Sequence, residues 1–193
     1  MLNHKDLLIA KILDIEVHMF LTVTSEQKSN CQNYPDRFKM QRKAQFIPWS
    51  VSSLESYLAD LVAAEKESRN LMVFKYARMD GRIPVGNNNP LIKKIAGIFL
   101  KWQEAFFEKY PNIAVKARPV SRAENTMNNT SFETYLSGEL ETYSDKTLAC
   151  LHGDVMDKMK KEINMSEEIY GYLVRFLGYD SLVDAEETLG APE

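Results

Sequence analysis

Apolar residues recur at three- and four-residue spacing along most of this chain, and no long stretch alternates with period two. A side chain returns to the same face of an α-helix after three or four residues, whereas a half-buried strand needs strict alternation. The pattern therefore predicts an all-α fold: a single compact domain over residues 1–193, with about seven or eight helices around one core. Composition agrees, since 45% of the 193 residues are hydrophobic and 26% are charged, the balance of a chain that buries a core and solvates its outer faces.

Punctuation residues divide the chain into segments. A first helix is expected from about Lys5 to Val23, followed by the polar loop SEQKSNCQN. Pro35 suits a first helical turn and opens a helix to about Gln45, before Pro48. SSLE at 52–55 reads as a capping box for a helix reaching about Lys66, and Asn70 starts another to about Met79. Two long loops are expected, DGRIPVGNNNP at 80–90 and a second at 111–129, flanking an amphipathic helix from Leu91 to Tyr110. Thr130 begins a long helix or a pair of helices to about Ile163, the interruption falling near Gly138 or Gly153. Asn164 with Glu167 caps the next, ending at Gly178, and Ser181 with Asp184 starts a short last one.

The helical phase sorts the glutamates. With Phe132 at zero, Leu136 falls near about 40° and Glu139 near about −20°, so Glu139 points into the apolar stripe. Glu133 completes a T-x-x-E box with Thr130, and Glu141 falls on the opposite, solvated side. In the first helix Glu16 shares the inward stripe with Leu8 and Ile12, whereas Asp14 and His18 fall outside it. A buried carboxylate needs a cation or donors, because an unpaired buried charge costs several kcal/mol. The candidate partners are Lys75 and Arg78, which share one face of NLMVFKYARM, together with Arg37, Arg42 and Arg118. Met72, Tyr76 and Met79 read as core.

Several chemistries are excluded by pattern. No E-x-x-H, H-E-x-x-H, Walker loop, G-x-G-x-x-G or G-x-S-x-G occurs, so the sequence predicts no metal site and names no cofactor. Cys31 and Cys150 match no zinc spacing and read as reduced thiols. A net charge of −3 provides no field for nucleic acid, and the charges inside the N-terminal apolar run rule out a signal peptide or membrane span there. The expected location is the cytoplasm.

Four stretches, CQNYPDRFKMQRKAQFIPW, SLESYLADL, RNLMVFKYARM and above all TSFETYLSGELETYSDKTL, give the chain a family likeness. It resembles a family of uncharacterised bacterial proteins, classed as a domain of unknown function, over roughly Ile9 to Glu187. The resemblance implies a bacterial, cytoplasmic, mostly helical domain and no activity. In the family pattern the segment before CQ is glycine-rich, whereas here it is SEQKSN, and the loop after KYARM is short and Asn-rich. No ligand role carries over to those loops.

Two functions fit these residues. One is a ligand-binding domain or enzyme with a polar pocket of Glu16, Glu139, Lys75 and Arg78, supported by Arg37, Arg42 or Arg118, that takes a small anionic or amide-bearing molecule. The other is a helical protein–protein interaction module whose buried ion pairs are purely structural. Either could work as a symmetric homodimer.

Overall fold

The structure is a computed structural model that describes residues 3–23, 34–126 and 129–191. Among these residues there are ten α-helices and no strand beyond one isolated bridge between Thr126 and Asn129. They are α1 (His4–Leu21), α2 (Pro35–Phe46), α3 (Val51–Lys66), α4 (Leu71–Met79), α5 (Pro90–Lys109), α6 (Pro111–Val115), α7 (Phe132–Leu140), α8 (Asp145–Lys160), α9 (Met165–Phe176) and α10 (Leu182–Gly190). The SEQKSNCQN loop, with Cys31, lies outside the described residues.

Local chemistry fixes most of the boundaries. Asn70, Asn164 and Ser181 cap α4, α9 and α10 through their side chains, as the sequence predicts. Two caps fall elsewhere than expected. Ser50, not Ser52, receives the amide at the start of α3, and Ser131, not Thr130, receives that of Thr134 at the start of α7. The Thr130 segment is a pair of helices interrupted close to Gly138, as expected, and it runs unbroken through Gly153. The break comes after Leu140, where Ser144 caps a fresh helix by accepting from Thr147 N. The described residues of the expected 111–129 loop include α6 and a 3-10 turn at Arg122–Glu124. Asn87 and Asn89 tie the 80–90 loop to the α7–α8 turn through the Tyr143 carbonyl and Asp145.

α3 and α8 run antiparallel, and each caps the other. Asp154 of α8 accepts from Ser50 N and Ser53 Oγ at the start of α3, while Asp60 of α3 accepts from Ser144 N at the start of α8. Ser56 and Thr147 share a buried hydrogen bond between them. α1 packs on α2, α3 and α4, and α5 lies against α7, α8 and α9. The main core draws on α1 to α5 and α7 to α9 and is centred on Ile12, Phe46, Trp49, Tyr57, Leu61 and Leu148. A smaller apolar cluster of Phe106, Tyr110, Ile113, Val174 and Ala185 sits where α5, α6, α9 and α10 meet. Among the described residues no helix is long and apolar enough to cross a membrane.

Candidate functional site

Glu16 and Glu139 meet in the middle of the molecule, although they are far apart in sequence. The inward stripe of α1 carries Glu16 into the core, fully buried, and that of α7 carries Glu139 to the same depth. Between them lies Arg42 of α2, also buried. Its Nε and Nη2 donate to the two Glu16 oxygens at 2.8 and 2.6 Å, a planar two-point pairing that a lysine could not make, and Nη1 donates to Glu139 Oε1 at 2.6 Å.

The remaining partners come from four directions. Lys75 of α4 donates to Glu139 Oε2 at 2.7 Å. Gln45 donates to Glu139 Oε1 and accepts from Arg42, Tyr143 donates to Glu139 Oε1, and Tyr57 donates to Glu16 Oε1. Two carboxylates therefore face two cations, with the remaining oxygen capacity taken up by an amide and two phenols. Aromatic rings wall the group off. Arg42 lies over Phe46 at 4.7 Å, Tyr57 and Tyr143 pack at 4.8 Å, and Trp49 meets both at 6.0 Å. On the far side Tyr135 covers the Lys75 ammonium at 3.6 Å, and Arg118 lies over Tyr135 at 5.2 Å.

The electrostatics follow from this packing. Burial alone would push the Glu139 carboxyl up, but the charges of Arg42 and Lys75 and their hydrogen bonds outweigh it and hold the group well below the usual carboxylate range. Burial and the neighbouring carboxylates push the Tyr57 and Tyr143 phenols well above their ordinary value. Burial opposes the charge on Arg42, yet Glu139 and Glu16 hold it more firmly protonated than usual. Glu139 so placed is no general acid or base near neutral pH.

Of the seven candidate residues, Glu16, Glu139, Lys75 and Arg42 come together. Arg78, Arg37 and Arg118 do not join them. Arg78 points the other way along α4 and pairs with Glu141, so Glu141 is mostly buried rather than solvated. Arg37 is exposed over Tyr34, and Arg118 is exposed, donating to the Thr130 carbonyl. Glu133 makes no box with Thr130; it accepts from Arg122 N at 2.7 Å and ties the 3-10 turn to α7. Gln45, Tyr57 and Tyr143 were missed as partners because their hydroxyl or amide ends are minor parts of otherwise core-like side chains. The readable signals were spacings: Gln45 lies three residues beyond Arg42, and Tyr143 four beyond Glu139.

The outer side of α7 is open. A cleft of about 170 Å³ lies between the end of α4, α7 and the 3-10 turn, lined among others by Arg78, Arg122, Asn125, Thr134, Ser137 and Glu141. Gly138 forms part of its wall. A Cβ there would stand 3.0 Å from Met79 Cγ and 3.4 Å from the Lys75 carbonyl, so glycine is what lets α7 close onto α4. A larger groove of about 430 Å³ at the α8–α9 corner is more open, and its carboxylates Glu167 and Glu168 are already engaged by Lys109 and Lys158. Glu16 and Glu139 line neither cavity. Among the described residues no group of three or more His, Cys, Asp or Glu side chains is placed to hold a metal ion.

Residues 6–187 match the model of a family described as Protein of unknown function (DUF4125). No curated protein and no solved structure matches the chain.

Proposed function

Because the chain belongs to that family of unknown function, which carries no activity over to it, we propose from the site's own chemistry that it is a helical domain binding a small anionic or amide-bearing molecule in the cleft beside α7. The observation that supports this is the cleft wall itself: two guanidiniums, two hydroxyls and an amide, with the Glu141 carboxylate among them, converge on one small cavity beside α7. The buried network is then the scaffold. It fixes α7 from the inside, so that its outer side chains hold their positions, as preorganised binding requires. At about 170 Å³ the cleft is smaller than the roughly 300–1,000 Å³ of drug-sized sites, which suits a small occupant. On this reading the domain works in the cytoplasm.

The test is calorimetric titration of the full chain with short carboxylates, phosphomonoesters, primary amides and free amino acids. One class should bind, and Arg122→Ala should weaken that binding by roughly tenfold or more. If nothing in the panel binds, this reading fails. A second reading, an interaction module with purely structural ion pairs, draws on the saturation of the network and on Phe176, Leu177 and Val183, which are exposed around α9 and α10. It predicts a concentration-dependent mass by light scattering, and a symmetric homodimer is the first assembly to look for.

A further inference from the structure

We propose that the occupant of the α7 cleft is a small zwitterion of the amino-acid type, an inference that rests on the binding-domain reading above. The wall carries both signs of charge, Arg78 and Arg122 against Glu141. A purely anionic guest would gain from the guanidiniums but would lie against the Glu141 carboxylate, and a purely cationic guest would face two guanidiniums. A molecule with a carboxylate and an ammonium a few bonds apart meets both requirements at once.

The charged atoms have capacity left for such a guest. Arg78 donates to Glu141 through Nε, and its two terminal nitrogens have no hydrogen-bond partner among the described residues. Arg122 spends its guanidinium on a long 3.3 Å bond from Nη2 to Ser137 Oγ and a 3.9 Å approach to Glu133, and it is more than half exposed. A guanidinium edge is thus available for two-point capture of a carboxylate. Glu141 accepts at Oε2 from Arg78, while its Oε1 accepts no hydrogen bond among the described residues. Thr134, Ser137 and Asn125 add neutral donors and acceptors that suit a short polar side chain.

The experiment titrates the full chain by calorimetry with glycine, serine, asparagine and glutamine, each beside its N-acetyl and its C-terminal carboxamide form. At least one free amino acid should bind, and blocking either end should weaken it by roughly tenfold or more. Arg122→Ala and Glu141→Gln should each do the same, with circular dichroism reporting that each variant is folded. N-acetyl forms that bind as well as the free amino acids would overturn the zwitterion while leaving an anion-binding cleft in place. If the amino acids fail and short carboxylates, phosphomonoesters or amides bind, only the present inference falls. If none of these binds, or if Arg122→Ala leaves the affinity unchanged, both readings fall together.

Discussion

Glu139 takes hydrogen bonds from Arg42, Gln45, Lys75 and Tyr143, so a change at this one atom group is felt by α2, α4 and the turn after α7. Glu139→Gln keeps the shape but leaves two buried cations facing one carboxylate, and its amide nitrogen meets donors. The expected cost is roughly 3 kcal/mol, measured by urea denaturation at neutral pH. The cost should also depend on pH. The folded-state pKa of Glu139 is depressed below its ordinary value of 4.5, so its contribution is fully present above that pH and is lost as the pH falls toward the folded value. The stability gap between wild type and Glu139→Gln should therefore narrow steadily below pH 4.5. A gap that is constant from neutral pH down to strong acid would show that the carboxylate charge is not what holds the network.

At the scale of elements, the reciprocal caps of α3 and α8 set the register of that antiparallel pair. Asp154 takes both an amide and a hydroxyl at the half-buried start of α3, whereas Asp60 takes one amide at an exposed site. Asp154→Ala should thus cost about 1–2 kcal/mol and Asp60→Ala under about 1 kcal/mol. The two caps sit at opposite ends of the pair, so the double variant should lose about the sum. Thermal melts of the three variants would show this, and an Asp60 effect as large as that of Asp154 would contradict the assignment. Neither cap has a sequence signature, because in both cases the acceptor stands on a different helix from the amide it serves.

For the whole molecule, the division into a main core and a smaller cluster beneath α10 should appear in the dynamics. α10 buries little beyond Ala185 and rests on α6 and α9, while α3 and α8 run through the main core. In native-state hydrogen exchange the α10 amides should exchange on the order of 100-fold faster than those of α3. Equal protection in both would mean that the two clusters unfold as one unit.

What the sequence determined by itself is whatever depends on neighbours along the chain. Three-and-four periodicity made the fold helical, Pro35, Asn70, Asn164 and Ser181 marked helix starts, and the phase of α1 and α7 turned Glu16 and Glu139 inward. Burial of two carboxylates in turn demanded cations, and Lys75 and Arg78 shared one face of the NLMVFKYARM segment as candidates. Only the tertiary structure decided which cations answered. Arg42 won over Arg37, Arg78 and Arg118 because α2 packs across α1 at the level of Glu16, and helix packing is set by ridges and small residues that no local period encodes. Glu141 was misplaced for the same reason: its phase in α7 points away from the core, but α4 closes over Gly138 and brings Arg78 to it. Distances along the chain fix faces, whereas pairings between faces depend on how the helices pack.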